Sequence, residues 1–317
     1  MKSGLWILIV VIAAAVAVGI LLKPRLQGLQ EEGQPSEVAE LERIERIEDP
    51  GARLSNLKAF ISDHPESEAR GTAYGEIADT MVRTLGDTTG FMEFAEATLG
   101  KEKDPESRGV VYYWLYNIEA ASDPEAALKT AERLLGETIE TSGIYNYVGY
   151  DLAEKGTGLD IALGLCEKAL LFARTTSDSA NILDSRGWVY YKLADYDLAV
   201  ADLARAADLF DPPYEEVLRH LLCAALKGGQ SDEAFETLRS ILLIGEYDYA
   251  RASIDSLMEA RGASADERAR FDEAIWQERM ADAPACEAFT LPTLEGEAYD
   301  FDPLSDAVAV VNFMSPT

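Results

Sequence analysis

Three cysteines, two histidines and a few adjacent carboxylates are the side chains through which this 317-residue chain could do chemistry. Cys166, Cys223 and Cys286 lie far apart, and His64 and His220 are equally isolated. Neither a Cys-x-x-Cys nor a His-Glu-x-x-His spacing occurs, so no local motif gathers the ligands of a metal, and no cofactor is expected. Cys166 and Cys223 stand among Leu and Ala, where a thiol serves as a small hydrophobic side chain. His64 precedes Pro65, and His220 sits between Arg219 and Leu221; neither has a motif partner, and both read as structural or surface residues. The acid pairs Glu215-Glu216 and Asp232-Glu233 fall in first turns of expected helices, where they complement the helix dipole and do not form a catalytic pair. No residue of the chain is therefore assigned a catalytic role.

The elements that would position these residues can be bounded by composition. With 48% hydrophobic and 27% charged residues the chain is a folded protein, long enough for about two domains. Its 28 Lys and Arg stand against 57 Asp and Glu, a net charge of −29 with a pI near 4.3. Nucleic-acid binding needs cations to displace counterions from phosphates, so this balance excludes it as a function class.

At the amino terminus Gly4 to Leu22 carries no charge over 19 residues. A helix of that length spans about 28 Å, close to the hydrocarbon core of a bilayer. Lys2, Lys23 and Arg25 flank it and Trp6 lies near one end, so residues 1–25 read as a membrane anchor, with 4–22 in contact with lipid. A cleaved signal peptide is the competing reading, because Ala15-Val16-Ala17 fits a cleavage site; the apolar run continues past it to Leu22. The Pro-, Gly- and Gln-containing residues 26–36 read as a flexible linker.

From 37 to 282 the pattern is helix after helix, broken by turns such as Asp49-Pro50-Gly51, Asp123-Pro124 and Gly156-Thr157-Gly158. Leu183 to Pro212 resembles a tetratricopeptide repeat: Gly187 and Tyr190 fit the first helix, Asp195-Tyr196 the turn, and Ala199 and Ala206 the small positions of the second helix. Flanking copies place Gly149, Ala162 and Ala169, then Ala225, Gly229 and Ala234, in the small positions, and a weaker copy offers Ala126. The alanines 126, 162, 199 and 234 are 36, 37 and 35 residues apart, near the period of that family. The resemblance implies an α-solenoid with a groove for protein or peptide partners. Tyr112, Tyr113, Trp114, Tyr145, Tyr147, Tyr190 and Tyr191 are candidates to line it, with packing between helices as the weightier reading.

The last 35 residues change character, with strand-like runs at 288–291 and 298–301, a turn at Glu295-Gly296 and an apolar run from Val308 to Phe313. Ala283-Pro284, Phe289–Gly296 and Val310-Val311-Asn312-Phe313 resemble the opening of a membrane-anchored thioredoxin-like oxidoreductase, with Met314 where that family has Trp. By this resemblance the first catalytic cysteine of a Cys-x-x-Cys would follow Thr317, and 283–317 is the first fragment of such a domain. Cys286, in the entry loop, does not replace that thiol. The expected fold is thus mainly α: a transmembrane helix, tetratricopeptide-type helix pairs and an incomplete α/β segment. The expected function is a single-pass, extracytoplasmic thiol–disulfide oxidoreductase whose catalytic part is missing and whose helical region binds partners. A peroxiredoxin-like peroxidase and a non-enzymatic tetratricopeptide scaffold are the alternatives.

Overall fold

Asp-Pro steps open helices in the amino-terminal half. At Asp49, Asp104 and Asp123 the carboxylate accepts the N–H of Ala52 (2.7 Å), Ser107 (2.8 Å) and Ala126 (3.1 Å). Each following proline takes the first turn, where no N–H is needed. A step that reads as a stop in the sequence is therefore also the start of the next helix.

A computed structural model describes residues 37–210, 212–245, 248–281, 289–292 and 298–301, and the chain divides into two units, Met1–Thr237 and Leu238–Thr317. The first unit opens with α1 (Glu37–Glu45), α2 (Pro50–Asp63) and α3 (Arg70–Asp79), the last running on into a π-helical turn, Thr80–Thr84. There follow α4 (Thr88–Leu99), α5 (Pro105–Ser122), α6 (Pro124–Gly136), α7 (Ser142–Lys155), α8 (Leu159–Leu171), α9 (Thr176–Lys192), α10 (Tyr196–Leu209), α11 (Glu215–Lys227) and the start of α12 (Ser231–Ile244). Helices α5 and α6, α7 and α8, and α9 and α10 pack as pairs across connections of at most three residues, which makes them antiparallel. First helices also meet one another, α3 with α5, α5 with α7, α7 with α9 and α9 with α11, and so form a continuous row.

Small residues set how closely the pairs shut. A Cβ on Gly149 would lie 2.8 Å from Cys166 Sγ and 3.1 Å from the carbonyl of Ala162; one on Gly187 would lie 2.6 Å from Leu203 Cγ and 3.2 Å from the carbonyl of Ala199. Ala162, Ala199 and Ala234 are all fully buried. In the weaker copy the packed residue is Ala127, 3% exposed, and not Ala126; Ala127 is the fourth residue of its helix, as the other three alanines are of theirs. The tight turns after α7, α9 and α11 enter the left-handed region at Gly156, Ala194 and Gly229, with φ of 66°, 63° and 71°, and the first of them does so again at Gly158, with φ of 56°. Ala194 alone among these holds that conformation with a side chain.

A line of charge ties the pairs end to end. Glu102, between α4 and α5, accepts from Tyr74 Oη at 2.7 Å and pairs with Arg70. One repeat on, Glu137 accepts from Tyr112 Oη at 2.9 Å and Arg108 Nε at 3.0 Å, while Arg108 also donates to the Glu102 carbonyl at 3.0 Å. The Arg108 guanidinium holds the Glu137 carboxyl below the usual carboxylate range.

In the second unit Arg251 of α13 (Asp248–Ala260) pairs with Asp272 of α14 (Ala265–Ala281), and Arg239 with Glu278. Strands β1 (Phe289–Pro292) and β2 (Ala298–Phe301) pair antiparallel, Phe289 opposite Phe301.

Two expectations are corrected by this architecture. Among the described residues the fold is helical, and its only β structure is that four-residue hairpin, not an α/β segment of thioredoxin type, which needs parallel strands covered by crossover helices. The run from Val308 to Phe313 lies outside the described residues. The second correction concerns the membrane: no helix of the described residues is long and apolar enough to cross one, which overturns the single-pass, extracytoplasmic placement. Gly4–Leu22 and the linker 26–36 lie outside the described residues.

Two measurements test this packing. Gly187→Ala is expected to cost about 1–3 kcal/mol by forcing Leu203 aside, whereas Ala194→Gly is expected to gain up to about 1 kcal/mol by relieving a left-handed alanine, both read from urea unfolding. Equal and small effects would contradict the close approach. Glu76 on α3, half-buried beside Glu45 and Asp79, is pushed up to about 7, mainly by loss of solvent and then by these two carboxylates. The folded chain then keeps a proton that the unfolded chain has lost, so stability falls as pH rises from the ordinary Glu value to about 7. Glu76→Gln is expected to exceed the natural chain in stability by a margin that widens by roughly 1–2 kcal/mol between about pH 5 and pH 8. A margin independent of pH would refute it.

Candidate functional site

Helix periodicity places residues i, i+3, i+4 and i+7 on one face, and both α7 and α9 turn such a face toward a common groove of about 350 Å³. On α7 the face carries Gly143, Asn146, Tyr147 and Tyr150; on α9 it carries Asp178, Asn181, Ile182 and Ser185. Each position on α9 is the counterpart of one on α7, 35 residues later. Asp184 and, from α11, Glu216 complete the walls. Three carboxylates thus face one groove whose lining includes no Lys or Arg.

The hydrogen bonds made there leave acceptors in excess. Asp178 Oδ2 caps α9 by accepting from the Thr175 N–H at 3.0 Å. Asp184 Oδ1 lies 2.8 Å from His220 Nδ1; since the carboxylate can only accept, Nδ1 carries the proton. Glu216 Oε1 lies 3.5 Å from Tyr150 Oη, at the outer limit of a hydrogen bond. Among the described residues no Lys or Arg pairs with any of these carboxylates. Asn146 Oδ1 is shielded from solvent and has no hydrogen-bond partner. The arrangement suits an incoming donor, above all a cationic one.

Behind Asp184 an aromatic stack holds His220. His220, 4% exposed, stacks on Trp188 at 4.2 Å, and Trp188 stacks on Tyr191 at 4.5 Å. Trp188 Nε1 donates to Glu154, and Tyr150 lies 6.2 Å from the His220 ring. Stacking with Tyr191 and His220 and the Lys192 ammonium over the ring at 4.9 Å hold the indole, which in turn holds the imidazole.

The residues singled out from sequence are dispersed. Cys166 is buried in α8 and burial pushes its thiol up to about 12; burial also raises half-buried Cys223. His64 ends α2, its Nε2 3.1 Å from Glu40 and its Nδ1 3.4 Å from Glu37, so it ties α2 to α1. His220, read from sequence as lacking a partner, has one in Asp184, 36 residues away. Of the seven candidate aromatics, Tyr147 lines the groove, whereas Tyr112, Tyr113, Trp114 and Tyr145 are buried packing residues. Glu216 belongs to a first-turn acid pair and also to the groove. Cys286 and the position after Thr317 lie outside the described residues. Tyr150, Trp188 and Asp184 went unrecognised, although the repeat period aligns Asn146-Tyr147 with Asn181-Ile182 and could have shown the shared face.

No family model matches the chain, and no curated protein is similar to it. Among solved structures it is similar to a thermophilic tetratricopeptide (TPR) protein of Thermus thermophilus, at 19% identity over 70% of this chain and 99% of that one, with a TM-score of 0.30. It is also similar to the TPR2AB domain of yeast Sti1 in its complex with pHSP90, at 13% identity over 76% of this chain and 96% of that one, with a TM-score of 0.29. The repeat is defined by this chain's own helix pairs and not by these distant matches.

Burial of the described thiols makes a direct expectation. Cys166 in the folded chain should resist an aromatic disulfide reagent at about pH 8 and react within seconds once unfolded, followed by release of thionitrobenzoate. Rapid labelling of folded Cys166, located by peptide mapping, would contradict its place in the core.

Proposed function

We propose that this chain is a non-enzymatic scaffold that holds an extended segment of a partner protein across α7, α9 and α11. The observation that carries this reading is the repeated lining: one helical face, presented twice at 35 residues' separation, offers Asn146 and Asn181 side by side with Tyr147, Tyr150 and Ile182. Amide groups at a regular interval suit the backbone N–H and C=O groups of an extended chain, and the apolar neighbours suit its side chains. Helices about 10 Å apart give the three a span of about 20 Å, the reach of about six extended residues. Of the residues that carry the redox readings only the hairpin 289–292 with 298–301 is described, and an antiparallel hairpin alone does not favour them; burial raises both described thiols.

Selection of random displayed peptides against the full chain tests the proposal. Asn181→Trp, which fills the groove from an exposed position, is expected to weaken the selected peptides at least about tenfold, while Glu132→Trp on the second helix α6 leaves them unchanged. Circular dichroism would establish that both variants fold. Peptides that bind the Asn181→Trp chain as well as the natural one would refute the groove as the binding site.

A further inference from the structure

We propose that the segment held in this groove is basic, with a Lys or Arg side chain seated among Asp178, Asp184 and Glu216. This rests on the scaffold reading and adds the chemistry of the partner. Several partly buried carboxylates elsewhere in the first unit are answered by a cation of the chain, Glu102 by Arg70, Glu137 by Arg108, Asp202 by Arg186 at 2.6 and 2.8 Å, and Asp151 by Lys155 at 2.6 Å, whereas Glu119, buried singly in α5 beside Thr130, is not. Even Glu96, well exposed on α4, is met by Arg133 through two hydrogen bonds. The groove differs in gathering three such carboxylates in one open lining.

Its carboxylates are met by a hydroxyl, by imidazole Nδ1 and by backbone N–H groups, and by no Lys or Arg among the described residues. Asp184 uses one oxygen for His220, which leaves its other oxygen with acceptor capacity. A second observation is independent of charge: Asn146 Oδ1 is a solvent-shielded acceptor without a donor in the same lining. Every polar deficit in the groove is a shortage of donors. Lysine brings three and arginine five, and neither brings an acceptor, so a basic side chain supplies what is missing. The Tyr147 and Tyr150 rings offer apolar and π surface to its aliphatic stem and charged head. Net charge alone would attract a basic chain to any face of this molecule; the groove gives it a fixed seat.

The test uses the folded full chain and labelled synthetic peptides of equal length, one with alternating Lys and Ala, one with Gln in place of Lys and one with Glu, read by fluorescence anisotropy. The Lys peptide is expected to bind and the others to fail. Joint replacement Asp184→Asn and Glu216→Gln is expected to weaken it about tenfold or more, against less than about threefold for Glu132→Gln with Glu167→Gln, an equal charge loss on second helices. Equal losses in the two double variants would overturn the proposal, since binding would then follow diffuse charge. Tighter binding of the Gln or Glu peptide, lost in Asn181→Trp, would also overturn it while leaving the scaffold reading intact. Failure of all three peptides overturns it too, and the displayed-peptide selection then decides separately whether the groove binds anything. Spermidine competing as well as the Lys peptide at equal charge would mark the ligand as a free polyamine and refute a protein segment.

Discussion

The backbone of α7 lies so near that of α8 that a single methyl group on Gly149 would meet the carbonyl of Ala162 at 3.1 Å; α9 and α10 repeat the same approach at Gly187 and Ala199. Helices closed this tightly need short turns, and the left-handed residues Gly156 and Ala194 provide them. Once each pair is shut, the remaining face of the first helix can only meet the first helix of the next pair. The row α5, α7, α9, α11 follows, and with it a groove floor of evenly spaced helical faces. The binding surface is thus a consequence of where side chains are absent.

Charge is distributed on the same frame in two ways. At the ends of the pairs Glu102 and Glu137 are each clasped by an arginine and a tyrosine from the first helix of their own repeat. Arg108 reaches back to the Glu102 carbonyl as well, which links successive repeats. Such partly buried pairs favour one register between the two helices of a repeat, because a slipped helix would leave a carboxylate without its cation, a costly state away from water. In the groove no Lys or Arg among the described residues pairs with the carboxylates, and Asp184 instead joins α9 to α11 through His220.

Much of this was legible in the sequence. The helix pairs, the near-35-residue period and the close contacts at Gly149, Gly187, Ala162 and Ala199 all follow from small residues recurring at fixed offsets. The slip from Ala127 to Ala126 came from aligning on spacing without the helix start; Pro124 marks the first turn and settles the register. The recurring Arg-Gly-x-x-Tyr at Arg70, Arg108 and Arg186 was also visible but was not read as a repeat feature. His220 looked isolated because its neighbours in sequence were searched, whereas in a solenoid a side chain's partner stands one repeat away, here at Asp184. At the other extreme, the strand-like composition after Met280 was extended by resemblance to a whole fold class. Local pairing of 289–292 with 298–301 needs only a turn and two short extended runs, and a parallel α/β sheet needs much more chain.

A tightly paired solenoid can keep an unbalanced groove because its stability is built elsewhere. The buried residues fill the space within and between pairs, from Leu41 on α1 to Val189 on α9, and they do not include the groove carboxylates. Two of the groove acids are held in place by contacts of the chain: Asp178 by the helix cap it makes and Asp184 by the imidazole stacked on Trp188. A carboxylate held in that way loses little conformational entropy when a cation arrives, so more of the attraction is retained as affinity. On the proposed reading, acids paired with arginine at the ends of the helix pairs serve closure, and those lining the groove are left to meet a partner.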